Sequence, residues 1–562
     1  MASSIPAKPT GAEAIKRASQ GLRGDIATAL SADSAPGGIS ESAYTLLKFH
    51  GSYEQFDRDT ATARKQAGED KDWSFMVRVR SPAGRITAAQ WLTLDALADS
   101  HADGTLRLTT RQGVQFHTIS RGNLTSAIAA INATLLTTMA ACGDVVRNVT
   151  TTPAPIRDAT HARLEETAFL LSAELLPRTR AHHSLFLGEE EVGPEPEETL
   201  YGPTYLPRKF KIGLVHPADN TADVLTNDLG FILVDEGWIV TIGGGMGMTH
   251  NKPATYPRLA DAVALIGHDE VLEVAKAVVR LSRDHGDRTD RKHARLKYVV
   301  AERGVEWVRA RLAADLGREL TPPPALPRLE LPEWLGWHAQ GDGRWWLGLP
   351  VPSGRVQGVL RAALREVVSR FGLDPIITPQ QDILLSNIAD ADRAVLRAVL
   401  EAHGVTFAEA LSPLRRWSLS CTALPTCGQA LAEGERVHHP ILTDVEAELA
   451  RHGLVGERIS LRLTGCPNGC ARPYAGDIGI VGRAPGLYTL FVGGDFAGTR
   501  LNFPLADKVP QALIAQRLAP LFAAFAVARR PGEGFGDWCA RIGPAAARDL
   551  IEPALEAPTR AA

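Results

Sequence analysis

Short blocks of apolar residues alternate with polar ones along this chain, and the period changes from block to block. Phe75 to Val79 reads as a strand, with Pro82-Ala83-Gly84 as the turn after it. From Ala88 to Ala98 the apolar positions Trp91, Leu92, Leu94 and Leu97 fall on one helical face. A second strand signal runs from Leu106 to Ile119, and Asn123 is placed to cap a helix from Leu124 to Ala140. Strand, helix, strand, helix is an α+β unit. No apolar run is read as long enough for a membrane-spanning helix, which needs about 20 residues.

The unit recurs. Val77-Arg78-Val79-Arg80-Ser81-Pro82-Ala83-Gly84-Arg85-Ile86 is matched by Leu347-Gly348-Leu349-Pro350-Val351-Pro352-Ser353-Gly354-Arg355-Val356. Leu108 to Val114 is matched by Ile377 to Ile383. Pro82 aligns with Pro352 and Thr109 with Thr378, offsets of 270 and 269 residues. A second block pairs Asp228-Leu229-Gly230-Phe231-Ile232 with Asp477-Ile478-Gly479-Ile480-Val481, an offset of 249 residues. Ile242-Gly243-Gly244-Gly245 then answers Val492-Gly493-Gly494. Two blocks in the same order indicate an internal duplication with pseudo-twofold symmetry. A Pro-rich linker from Thr321 to Pro332 separates the halves, and the acidic run Glu189 to Glu198 reads as a solvated loop.

Composition narrows the class. At 562 residues the chain is long enough for about three to four domain-sized units. A net charge of −3 leaves no global field for a polyanion, so any such ligand must meet local basic clusters. The N-terminus lacks the apolar core of a secretory signal, which points to a cytoplasmic setting with reduced thiols. No aromatic–basic stripe marks a nucleic-acid surface.

Against that background the cysteines stand out. Of the 6 in the chain, Cys421, Cys427, Cys466 and Cys470 gather in the last third, as C-T-A-L-P-T-C and C-P-N-G-C. Zinc ribbons and knuckles favour two to four residues between paired ligands, and the first pair here is wider. The spacing also departs from the ferredoxin patterns. Four thiolates without a fifth ligand nearby suit a cubane iron–sulfur cluster, with structural zinc and disulfides as the plainer alternatives. Cys142 and Cys539 stand alone and read as small buried hydrophobes. The quartet occurs in the second half only; the first half's matching region is read as carrying Arg147, Arg208, Lys209 and Lys211 instead.

Two basic constellations complete the pattern. If Leu106 to Ile119 is one strand, Arg107, Thr109, Arg111, Gln115 and His117 share a face that is too polar for a core and suited to a polycarboxylate. In Tyr205-Leu206-Pro207-Arg208-Lys209-Phe210-Lys211, Lys209 and Lys211 lie on one strand face. The loop Gly243 to Gly247 has the wrong spacing for a dinucleotide fingerprint, so electrons must come from a partner.

These residues together resemble the siroheme-dependent sulfite/nitrite reductase family. The motifs are Leu46 to Gly51, Arg107 to His117, Arg147-Asn148-Val149, Tyr205 to Lys211, Asp287 to Lys292, Thr464 to Cys470, and Gly532 to Asp537. The resemblance implies a [4Fe–4S] cluster on Cys421, Cys427, Cys466 and Cys470, with Cys470 shared with the siroheme iron. It puts Arg107, Thr109, Arg111, Gln115, His117, Arg208 and Asn468 in contact with cofactor. It puts Arg78, Arg147, Lys209 and Lys211 around the substrate anion. The implied reaction is the six-electron reduction of sulfite to sulfide in sulfate assimilation and cysteine biosynthesis, with nitrite reduction to ammonia as the alternative. A non-catalytic iron–sulfur or zinc module is a third reading. The nitrite branch typically has Asn where this chain has Lys211, which favours sulfite. The implied electron donor is an NADPH-oxidising FAD/FMN flavoprotein subunit or ferredoxin, with no nucleic acid and no membrane.

The expected fold is α+β, an internally duplicated pseudo-twofold arrangement of ferredoxin-like half-domains plus two larger α+β domains for siroheme and cluster. Its expected boundaries are 1–75 for an N-terminal arm that docks the partner, 76–140 and 341–410 for the ferredoxin-like halves, 141–340 for the anion and siroheme domain, and 411–562 for the cluster domain.

Overall fold

In the computed structural model the described residues are 8–31, 37–182 and 196–552, and they form four sheets flanked by helices. The first sheet runs Ser52–Phe56, Trp73–Val79, Val114–Ile119, Leu106–Leu108 and then Arg355–Val356, a strand lent by the other half. The second runs Asp374–Ile377, Ile383–Ala389, Arg344–Leu349 and Gly336–Ala339. The third orders Ile212–Val215, Leu229–Val234, Gly237–Ile242 and Asp261–Ile266. The fourth orders Ser418–Ser420, Leu461–Thr464, Ile478–Ala484, Leu487–Val492 and Phe503–Pro510.

The duplication is physical. Ile212 pairs with Leu229 in parallel, and Leu461 pairs with Ile478 in the same way. Gln112 Nε2 donates to Ala83 O at 3.0 Å and to Ile377 O at 3.1 Å. Its counterpart Gln381 Nε2 donates to Leu108 O at 3.3 Å and Ser353 O at 3.5 Å. Each glutamine carbonyl accepts one more backbone N–H, from Thr151 at 2.9 Å and from Ser420 at 3.2 Å. Each half therefore satisfies backbone groups of the other, and the two are locked reciprocally. Gly84 and Gly354 sit at the crossing with φ of 73° and 72°. A Cβ on Gly84 would lie 2.2 Å from Ile377 O, and one on Gly354 2.5 Å from Leu108 O, so both the φ and the close approach require glycine.

Several local expectations change. The helix Ala88–His101 forms with Thr87 and Gln90 capping each other, and buries Trp91, Leu94 and Leu97. The next helix is Arg121–Ala133, not Leu124 to Ala140; Ser120 caps it, accepting from Asn123 N at 3.2 Å. Leu106 to Ile119 is a hairpin rather than one strand. Thr109 N bonds Gly113 O at 2.9 Å, Gln112 takes φ 54°, and Arg107 lies opposite Gln115. Thr109 Oγ1 holds that turn, accepting from Arg111 N at 3.3 Å and Gly113 N at 3.1 Å. Two-residue periodicity does not register a chain reversal inside a polar run, so the reversal was invisible to it.

The N-terminal segment is no loose arm. Leu22 and Ile26 are fully buried, and Lys16 Nζ reaches Glu13 at 2.5 Å and Leu206 O at 2.8 Å. Residues 1–7 lie outside the described residues, as do 189–195 of the acidic run. Glu198, at its end, accepts from the N–H of Arg178, Leu200 and Tyr201 and so is an anchor rather than a solvated charge. The inter-half linker is likewise packed, with Leu329 and Leu331 buried. One apolar run escaped the pattern reading: Gln511–Ala528 has the length and composition of a membrane span. Its Leu518, Leu521, Phe522 and Phe525 pack against Leu490, Val492 and Trp538 in the C-terminal core.

Candidate active site

The second half brings the cysteines together by strand order. Ser418–Ser420 and Leu461–Thr464 are parallel neighbours, so Cys421 and Cys466 leave the same sheet end. Gly465 N donates to Cys421 Sγ at 3.3 Å, and Leu431 N and Ala432 N both bond Gly465 O, at 2.8 and 3.0 Å. Asn468 points its backbone and side chain at Cys466. Gly469 takes φ 65°, which closes the C-P-N-G-C loop. Burial, then the field of Cys470 and Cys466, pushes the Cys421 thiol well above its ordinary range, and burial with Cys470 pushes Cys466 to about 12. Burial and neighbouring thiols push Cys421, Cys427 and Cys466 upward, so a bound cationic group is what would hold these three as thiolates. Among the described residues no three His, Cys, Asp or Glu side chains converge as a single-ion site. Four soft donors spread more widely fit a polynuclear iron–sulfur group better than one zinc. Cys470 is the exposed member of the set; Cys466 is buried and the other two are half-buried.

The first half supplies the cations. Lys209 and Lys211 flank Phe210, which is buried and bridged to Val146, so both ammonium groups fall on the opposite face. The strand proper begins only at Ile212, but the alternation holds. Both lysines lie in the field of Cys470, Arg295 and each other or Arg147. Burial, then Arg147 and Arg295, brings Lys209 down to about 7; burial, then Lys209 and Arg111, takes Lys211 well below the usual lysine range. Lys211 N is pinned to Asp228 Oδ2 at 2.9 Å, and Arg295 grips the same carboxylate at 2.7 Å. Arg147 is braced by Gly143 O at 3.1 Å. Arg78 donates to Cys142 Sγ at 2.9 Å and, at 3.2 Å from its Nε, to the Gln115 carbonyl once that amide is oriented by its bonding partners. Arg208 lies near Arg147, Arg291 and Asp144, which buffers its charge after burial lowers its pKa.

The polar hairpin face divides in use. Arg111 Nη1 bonds Asn227 Oδ1 at 2.8 Å and its Nη2 bonds Ile212 O at 2.9 Å, while its Nε is buried without a partner. Both ring nitrogens of His117 are likewise buried and unpartnered. Buried polar groups without partners are costly, and the Arg111 N–H with the one N–H of a neutral His117 fits an oxygen-rich ligand. Arg107 pairs with Glu435 at 2.7 Å and donates to Ser420 O at 2.9 Å, fastening the hairpin to the cysteine strand, while its Nε, like that of Arg111, is buried without a partner. The hairpin tip also reaches the quartet, since Thr110 Oγ1 donates to Cys470 O at 3.0 Å.

Sequence reasoning missed Tyr53, Cys142, Asp228 and Arg295 as site residues. Cys142 is not an inert core hydrophobe, because it meets both Arg78 and Tyr53. Burial and Cys142 push the Tyr53 hydroxyl up to about 12. The matching of cations to cysteines across the repeat is also corrected. Thr150 pairs with Gly213 as Leu419 pairs with Arg462, so Cys470 corresponds to Thr221, and Arg147 and Lys209 correspond to Arg416 and Arg458. The site is therefore composite, with cations from one half facing a cysteine from the other.

Comparison with known proteins agrees with this architecture. A family described as "Nitrite and sulphite reductase 4Fe-4S domain" matches residues 166–320. A "Nitrite/Sulfite reductase ferredoxin-like half domain" matches twice, at 67–134 and 338–403. The chain is similar to the sulfite reductase [NADPH] hemoprotein beta-component of Myxococcus xanthus, at 45% identity over 94% of this chain and 96% of that one. It is also similar to the sulfite reductase [ferredoxin] of Synechococcus elongatus, at 40% identity over 97% of this chain and 92% of that one. The solved structure of Mycobacterium tuberculosis NirA superposes with a TM-score of 0.79 at 25% identity, over 96% of this chain and 98% of that chain. With its duplicated half-domain, its composite site and relatives matched nearly end to end, the chain belongs to the nitrite and sulphite reductase family.

Proposed function

We propose that this chain is the catalytic haemoprotein of an assimilatory sulfite reductase, a cytoplasmic enzyme that reduces sulfite to sulfide for cysteine biosynthesis. The observation that carries the reading is the meeting of Lys209 and Lys211 from the first half with Cys470 from the second. Cys421, Cys427, Cys466 and Cys470 would hold a [4Fe–4S] cluster, and the unpartnered nitrogens of Arg111 and His117 would face siroheme carboxylates, with Arg208, Thr109, Gln115 and Asn468 around them. When bound, the two groups would supply single electrons and a Lewis-acidic iron.

The protein's own residues do the rest. Arg78 and Arg147 present fixed guanidinium donors to a small dianion and orient its oxygens. Lys209, poised near neutrality, holds a proton when the anion enters and can release it to a departing oxygen. Lys211, held well below the usual lysine range by burial and by Lys209 when no anion is present, is recharged by an incoming dianion. Asp228 and Arg295 keep the Lys211 backbone in place through these changes. Electrons arrive from a separate flavoprotein or ferredoxin. In support, one relative's name carries NADPH and another's carries ferredoxin.

Nitrite reduction is the second reading, favoured by the family's other branch and set against by Lys211. Steady-state rates on both anions with one artificial donor decide between them. A higher kcat/KM for sulfite supports this assignment; a much higher value for nitrite removes it.

A further inference from the structure

The pseudo-twofold that builds the site also builds a counterpart to it. The two halves align without a gap from Ile212 against Leu461 to Asp228 against Asp477. The backbone agrees: Lys211 N bonds Asp228 Oδ2 at 2.9 Å, and Ser460 N bonds Asp477 Oδ2 at 2.8 Å. On this alignment Cys470, Arg111, Arg147 and Lys209 correspond to Thr221, Gln380, Arg416 and Arg458. Thr221, Gln380 and Arg416 line one small cavity together, so the counterpart positions converge as the originals do. Beside it is a cleft of about 250 Å³ lined by Arg416, Arg458, Trp417, Glu333 and the linker residues Leu331 and Pro332.

Glu333 follows directly on the Pro-rich linker. Its Oε2 accepts from Arg416 Nη1 at 3.1 Å, and it lies in the field of Arg458, which donates to Leu331 O at 2.8 Å. Arg458 is held flat against Phe496 and Trp417, at 4.2 and 5.1 Å from their ring centres. We propose that this cleft, together with the small cavity that shares its Glu333 and Arg416, is a second oxyanion-binding site, filled in cis by the Glu333 carboxylate. A carboxylate has two oxygens, and donors remain over: Arg416 Nε and Gln380 Nε2 are buried without partners. Two guanidinium groups and a spare amide fit the larger oxygen set of a sulfate- or phosphate-like ion better than they fit Glu333. Thr221 in place of Cys470 offers no thiolate, so the cleft binds without reducing. The linker thus confines redox chemistry to one centre while retaining a latent anion site in the other half.

The inference rests on reading Arg147 and Lys209 as the anion clamp, and its test separates the two. Sulfate binding to the holoenzyme is measured by calorimetry for wild type, Glu333→Ala, Glu333→Ala/Arg416→Ala and Arg147→Ala. Glu333→Ala is expected to bind one sulfate more per chain than wild type and to gain more in Tm from added sulfate; adding Arg416→Ala should abolish both gains. Equal sulfate stoichiometry in wild type and Glu333→Ala would overturn the proposal. Should Glu333→Ala fail to fold, Glu333→Gln keeps the volume and removes the charge, and must show the same extra binding. If instead Arg147→Ala leaves both sulfate binding and the sulfite KM unchanged, the clamp reading fails and the second site is judged on its own variants.

Discussion

At the scale of single residues, charge placement carries the function. The Lys209–Phe210–Lys211 triplet was legible because strand alternation survives even where the formal strand has not begun. Its partners Asp228 and Arg295 were not, since an ion pair between residues so far apart in sequence has no local signature. Lys211→Asn is expected to lower kcat/KM for sulfite about a hundredfold, the usual scale of a lost proton donor, and to cost less on nitrite. Equal losses on the two anions would contradict the role given to Lys211. Asp144 makes a separate prediction about stability. Although burial raises its pKa, Arg291 at 2.7 Å and Lys16 bring it down to about 2 from 3.8. A depressed carboxyl stabilises above its unfolded pKa, and that contribution is lost as pH falls through about 2. Asp144→Asn should therefore cost on the order of 2 kcal/mol at neutral pH and flatten the acid limb of a Tm–pH curve between pH 4 and about 2.

At the scale of elements, the crossing of the two halves is the tightest constraint. Gly84 and Gly354 share a φ near 73° and 72° and a backbone oxygen within 2.5 Å of where a Cβ would stand. Gly84→Ala or Gly354→Ala should each cost about 1–3 kcal/mol in chemical denaturation, from strain at positive φ alone, and more if the facing strand cannot shift. A change below 0.5 kcal/mol in either would mean the crossing adapts freely. The repeat itself was readable, because Pro-x-Gly-Arg and the Asp-x-Gly strands recur in order. The hairpin between Leu108 and Val114 was not, and neither was the pairing of Arg107 with Glu435 in the other half. Cross-half partners of this kind emerge only when the duplication is folded onto itself.

At the scale of the whole molecule, the active centre exists only between the halves, and the N-terminal segment belongs to that assembly. Lys16 bonds Leu206 O beside the Lys209–Phe210–Lys211 triplet, and Leu22 and Ile26 are core. Removing residues 1–7 is expected to leave viologen-driven turnover intact. Removing 1–45 should depress viologen-driven and partner-driven turnover alike, because it opens the core; loss confined to the partner-driven assay would restore the picture of a docking arm. Cys470→Ser should retain the fold by circular dichroism but lose sulfite reduction, with altered cluster and haem absorption. Polar patterning foretold a composite, metal-dependent centre, whereas the locking of arm, linker and halves around it depends on long-range packing. The most direct test of the central claim is the electron count of the holoenzyme with reduced methyl viologen and sulfite. The account predicts sulfide as the product with six viologen electrons consumed per sulfite and no released intermediate; sulfite left unconsumed, or a product other than sulfide, would contradict it.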